Sequence, residues 1–130
     1  MKLNSKKVIV QKSPEALCEY LSDVKNFESL MPQNISKFEV VNEKTFVFAL
    51  KGMPEIALEV KEINTPYQVV LGATSDKLPF TLTGNISSTD EGSSEITLLF
   101  EGDFNPMMSM MIKSPITKFI ETLADNLVTA

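Results

Sequence analysis

The sequence predicts an α+β fold: a curved antiparallel sheet of about seven strands, two short helices after the first strand, and a long C-terminal helix. Three observations carry this prediction. A capped, amphipathic segment follows the first apolar run; a period of two holds from residue 35 to about 103; and a period near 3.6 then runs to the end of the chain. The chain has 130 residues, 43% of them apolar, with no internal repeat or linker. That is long enough to bury one sizeable core, so residues 1–130 are read as a single domain.

The first strand is expected over Leu3–Gln11, from the β-branched run Val8-Ile9-Val10. "SPEALCEYLSD" then opens a helix. Ser13 serves as N-cap, Pro14 fits the first helical position, and Glu15 puts negative charge at the positive helix end. Leu17, Tyr20 and Leu21 share a face that Val24 extends. A second short helix, "VKNFESLMP", ends at Pro32.

Alternation then takes over. Phe38 and Val40 face one way, and Asn42-Glu43-Lys44 reads as a tight turn. Phe46, Phe48 and Leu50 follow on one face, then Ile56, Leu58 and Val60. Asn64-Thr65-Pro66 breaks the chain before Val69 and Leu71. "PFTLTGNIS" sets Phe80, Leu82 and Ile86 against Thr81, Thr83 and Asn85. After the loop "STDEGSS", Ile96, Leu98 and Phe100 alternate with Thr97 and Glu101. Turn-bounded strands with one apolar face suit an antiparallel meander whose other face stays wet.

In the last segment, Met108, Ile112, Ile116, Phe119, Ile120, Leu123 and Leu127 form one stripe at about 100° per residue. Pro115 interrupts it, either kinking one long helix or starting a new one after Ser114, as Pro14 does after Ser13. "NPMMSMM" heads this segment. Met108 and Met111 fit the stripe, whereas Met107 and Met110 lie at roughly 240° and 180° from Phe119, outside it. Local packing, a lid, or a self-association patch are the open readings for that pair.

The element order, with "SPEALCEYLSDVKNFESLMP" after the first strand and "SPITKFIETLADNL" at the end, resembles the helix-grip fold of the START-related (SRPBCC, birch-pollen-allergen-like) superfamily. The first motif is similar to the family's "SPEEVWEYLSDPENLPRWMP" type of opening. Phe27 and Leu30 stand at its apolar positions, and its usual tryptophans are absent. In its shortness the chain resembles the bacterial carbon-monoxide-dehydrogenase-subunit-G-like and polyketide-cyclase-like branches, the former above all. The resemblance covers nearly the whole chain. It implies a sheet wrapped around the last helix and a cavity between the two.

Composition narrows the chemistry. The chain has no histidine, no arginine and no tryptophan, and all twelve basic residues are lysines. The commonest general base and metal ligand is therefore missing, as is the bidentate fork for phosphates and guanine. With a net charge of −5, a general affinity for nucleic acid or anionic membranes is not expected. Cys18 is the only cysteine; it fits core packing and excludes an internal disulfide. No secretory signal or long apolar segment is evident, so a cytoplasmic location is expected. "GATSDKLP" lacks phosphate-loop spacing and "STDEGSSE" lacks the calcium-loop pattern. Lys51 and Asp103 sit near strand ends, solvent-facing in the simpler reading and at a cavity mouth in the other. Tyr20 and Tyr67 offer hydroxyls either to a ligand or to the structure.

The leading functional expectation is non-enzymatic binding of a small hydrophobic molecule, of lipid, isoprenoid, quinone or polyketide type, with no cofactor and no metal. The expected ligand-binding residues are Phe46, Phe48, Leu58, Leu71, Phe80, Leu82, Leu98, Phe100, Met107, Met108, Met111, Ile112, Ile116 and Phe119. If the sheet closes tightly on the helix, the same residues are simply core. The alternative is a protein-interaction or assembly-accessory domain, possible as a homo-oligomer, using an exposed methionine patch. A cyclase or aromatase, as in some superfamily members, stands third, because such activity depends on polar cavity residues.

Overall fold

The computed structural model describes residues 1–53, 55–74, 79–89 and 92–130. The segment "GATSDKLP" and the loop "STDEGSS" lie partly outside them. The described strands are β1 (Lys2–Asn4), β2 (Val8–Val10), β3 (Ile35–Asn42), β4 (Thr45–Leu50), β5 (Ile56–Asn64), β6 (Gln68–Ala73), β7 (Phe80–Ser88) and β8 (Ser94–Gly102). They form one antiparallel sheet in the order β1-β8-β7-β6-β5-β4-β3, with β2 also on β8. The expected first strand is thus two segments in one column, which raises the count from seven to eight.

Ser5 marks the break. Its N–H donates to Leu98 O at 2.8 Å and its Oγ accepts from Leu98 N at 2.9 Å. The side chain thereby replaces one rung of the ladder, and the pairing shifts by one residue, from Asn4 opposite Leu99 to Val8 opposite Ile96. Leu3 and Val8 both face inward although their numbers differ in parity. Further register shifts fall between Ile35 and Lys37, between Val40 and Asn42, and between Val60 and Glu62. An extra residue bends the strand and increases its twist, so these irregularities are where the sheet curves.

The expected turns form for the expected reasons. Asn42 Oδ1 accepts from Lys44 N at 2.9 Å, an Asx turn between β3 and β4. Tyr67 N donates to Asn64 O at 2.9 Å, closing the turn between β5 and β6.

Helix α1 (Pro14–Ser22) starts at Ser13, whose Oγ accepts from Ala16 N at 3.2 Å. Leu17, Cys18 and Leu21 are buried beneath it. The second helix is a 3₁₀ helix, Val24–Leu30, capped by Asp23 and burying Val24, Phe27 and Leu30. Helix α1 packs on the sheet over Gly84, where a Cβ would be in ordinary van der Waals contact with Ile96 Cδ1 at 3.4 Å and Leu21 Cδ1 at 3.5 Å.

Helix α2 runs unbroken from Pro106 to Val128, with Pro115 inside it. Ser114-Pro115 therefore does not begin a new helix. The start lies at Asn105-Pro106, where Asn105 Oδ1 accepts from Met108 N at 2.8 Å and Pro106 occupies the first turn. The halves of α2 differ in depth. Ile116, Phe119, Ile120, Leu123, Ala124 and Leu127 are buried, and nothing before Ile116 is. At about 1.5–3 kcal/mol for each large buried side chain, the second half anchors the helix. Asn126 Nδ2 donates to Leu30 O at 2.8 Å, and Glu121 Oε1 accepts from Lys6 N at 2.8 Å. The Lys6 ammonium lies 2.6 Å from Asp125, and that hydrogen bond raises its pKa.

All eight phenylalanines belong to two stacks. Phe46 stands between Phe27, Phe38 and Phe48 at centroid distances of 5.0, 5.4 and 5.9 Å, and Phe48 stacks on Phe119 at 4.9 Å. This stack fills the middle of the grip. Phe80, Phe100 and Phe104 form the other, at 4.8 and 6.1 Å.

Candidate functional site

The second stack stands at the end of the sheet where β4 and β8 finish and β5 and β7 begin. There the first half of α2 spans the concave face without descending into it, and a cavity of about 370 Å³ remains. Leu50, Ile56, Phe80, Phe100 and Phe104 form the sheet side; Met108, Met111, Ile112, Pro115 and Ile116 form the helix side. Asn34, Lys51, Gly52 and Met53 close the margin.

Local chemistry explains each wall. Gly52 adopts φ +86°, a left-handed turn that glycine takes without steric cost, and Met53 N donates to Leu50 O at 2.9 Å across it. Lys51 N donates to Asn34 O at 2.9 Å, tying this turn to the entry of β3. At Gly102 a Cβ would lie 2.7 Å from Phe104 Cε2, 2.8 Å from Pro79 O and 2.9 Å from Phe80 Cβ. Only a missing side chain lets the Phe104 ring fold back over Phe100. Gly102→Ala is expected to destabilise the protein by about 1–3 kcal/mol, the cost of overpacking against backbone, and to push Phe104 into the cavity. A urea titration and binding of an apolar fluorophore read the two effects.

Pro115 has no N–H, so the Met111 carbonyl receives no donor from the next turn of the helix. The side chains of the walls are otherwise apolar. Lys51 and Asn34, both exposed, are the only charged and amide side chains among the described lining residues. Glu55, near Lys51 in the chain, is held by Lys37 Nζ at 2.7 Å, a hydrogen bond that raises the Lys37 pKa. Asp103 lies instead on an open depression with Lys61, Gly72 and Glu101. A further hollow of about 210 Å³ adjoins the cavity through Asn34, Leu50 and Pro115 and extends to Lys118 and Thr122.

Of the fourteen residues expected to bind ligand, Phe80, Phe100, Met108, Met111, Ile112 and Ile116 line this cavity. Phe46, Phe48, Leu58 and Phe119 are packed in the central core instead. Leu71, Leu82 and Leu98 surround a void of about 20 Å³, room for a single water. The space is therefore at one end of the grip, and its middle is closed by aromatic stacking. Met111 is 67% exposed and is a rim residue, which corrects its placement in the gripping stripe. Met107 and Met110 are 74% and 82% exposed and do not line the cavity. Met107→Ser with Met110→Ser is expected to change stability by no more than about 0.5 kcal/mol per site, measured by chemical denaturation.

Periodicity misses Gly52, Met53 and Phe104 because they lie outside regular alternation, and it misses Asn34 because it precedes β3. Leu50 and Ile56 carry the inward parity, but parity does not tell depth along the strand. Neither tyrosine lines the cavity: Tyr20 Oη pairs with Ser29 Oγ at 3.1 Å, and Tyr67 is 56% exposed. Cys18 is buried. Among the described residues, no group of three or more His, Cys, Asp or Glu could hold a metal ion, and no helix is long and apolar enough to cross a membrane.

No family model matches the chain, and no curated protein matches it significantly. Solved structures do. Norcoclaurine synthase from Thalictrum flavum is similar with a TM-score of 0.76 and 14% identity over 99% of this chain and 84% of that one. A START superfamily protein from Mycobacterium smegmatis is similar with a TM-score of 0.69 and 15% identity over 98% and 94%. A conserved protein from Geobacillus kaustophilus aligns at 0.69 with 13% identity over 99% and 93%. At these identities the likeness establishes the fold, and the chain has the START-like helix-grip fold that its sequence resembles.

Proposed function

We propose that this helix-grip protein binds a small hydrophobic molecule, without transforming it, in the cavity beneath the first half of α2. The observation that carries the reading is the cavity itself: about 370 Å³, within the roughly 300–1,000 Å³ range of small-molecule sites, with apolar walls and polar groups only at its margin. Burial of ligand surface at about 25 cal/mol per Å² of apolar area supplies the affinity. The half of α2 over the cavity buries no side chain fully, so moving it to admit a ligand disturbs little of the core.

Native mass spectrometry of the purified protein, with solvent extraction of whatever it retains, tests this. The expected result is a retained small mass that partitions into organic solvent. A clean dimer or a captured protein, with the cavity empty, supports a contact surface instead. The exposure of Met107, Met110 and Met111 favours that second reading. Norcoclaurine synthase demonstrates that an enzyme can use this fold. Here Lys51 is the only ionisable side chain at the cavity among the described residues, which places catalysis third.

A further inference from the structure

We infer that the ligand is an anionic amphiphile, a single apolar chain carrying a carboxylate or phosphate head that rests at Lys51. The inference rests on the proposed binding function and names the class of molecule for that same cavity.

The interior of the site is lined by Phe80, Phe100, Phe104, Ile112 and Ile116, which offer no side-chain hydrogen bond. A polar group carried inside would lose its water without gaining a partner, so the buried part of the ligand is hydrocarbon. At about 30 Å³ per water-sized group, the volume accommodates about twelve such groups, enough for a medium-length chain. Polarity is confined to the margin, and its sign there is positive. Among the described residues Lys51 makes no ion pair and is the only charged residue lining the cavity. The carboxylate next along the chain, Glu55, is already engaged by Lys37. Asn34, whose backbone carbonyl accepts from Lys51 N, adds amide donors at the same margin. An anionic head therefore meets one cation and one amide, whereas an ammonium head meets a like charge.

Displacement of N-phenyl-1-naphthylamine, a neutral apolar probe, from the full chain at pH 8 and low salt tests this with decanoate, decyl phosphate, decanol and decylammonium. Either anion is expected to displace the probe at a concentration two- to five-fold below decanol, with decylammonium the weakest, as for an exposed ion pair. The order of the two anions tells which head is preferred. Lys51→Gln, an exposed position where folding is unaffected, removes the advantage of the anions, and Lys51→Glu makes decylammonium the best competitor. Decanol equalling or beating both anions, or Lys51→Gln keeping their advantage, overturns the inference while leaving the cavity a binding site. Displacement by none of the four overturns the binding function together with this inference.

Discussion

Phe46→Ala is expected to lower the unfolding free energy by about 3–5 kcal/mol, the range for truncating a buried aromatic ring. The position is fully buried, and its ring stacks on three others, Phe27 from the 3₁₀ helix, Phe38 from β3 and Phe48 from its own strand. Removing it deletes the shared member of a stack that continues through Phe48 to Phe119 on α2. The surrounding rings come from four separate elements and cannot collapse together to refill the hole. Against a typical total of about 5–15 kcal/mol, the loss leaves a marginal protein. Urea unfolding of the variant beside the native chain measures it as a lower midpoint at unchanged slope. A loss under about 1 kcal/mol would mean that the stack is not the centre of the core.

The second large effect concerns binding rather than stability. Ile112→Trp is expected to abolish retention of the extractable small mass and to weaken binding of a neutral apolar probe by at least about ten-fold. Ile112 is half-buried on the cavity wall, one helical turn before the first fully buried position, Ile116. An indole there has an empty volume to enter, so the usual overpacking cost of about 1–3 kcal/mol is largely avoided. The prediction is therefore asymmetric: binding lost, stability within about 1 kcal/mol of native. Unchanged binding would place the ligand elsewhere, with the adjoining hollow by Lys118 and Thr122 the next position to fill.

The two variants divide the inward residues into those that close the grip and those that border space, a division that alternation alone does not make. Phe46, Phe48 and Leu58 share their parity with Leu50, Ile56 and Phe80, yet the first three are core and the others stand at the cavity. Parity assigns a face of the sheet; position along the strand assigns a depth, and depth depends on what lies opposite. Here α2 lies opposite, and its two halves differ in burial. Met108, Ile112 and Ile116 follow one another at helical spacing, but only Ile116 is fully buried. Met111 shows the same limit, since it lies near the stripe but belongs to the overhanging half and is mostly exposed.

The sequence by itself determined the order of elements, the facing of the strands and the cap that starts α1. Each follows from interactions among neighbours: a period of two or 3.6, a Ser-Pro dipeptide, an Asx turn. The start of α2 was equally present as Asn105-Pro106, a second cap of the kind seen at Ser13-Pro14. Only the tertiary structure decided that the middle of the grip is filled by stacked rings and that the space lies at one end. That outcome depends on where the sheet bends, at Ser5, Ser36, Val41 and Lys61, and on how far α2 extends beyond its buried half. A one-residue shift in pairing leaves composition and charge untouched while re-aiming everything beyond it. The cavity is the sum of those small displacements, and distant parts of the chain must meet before it exists.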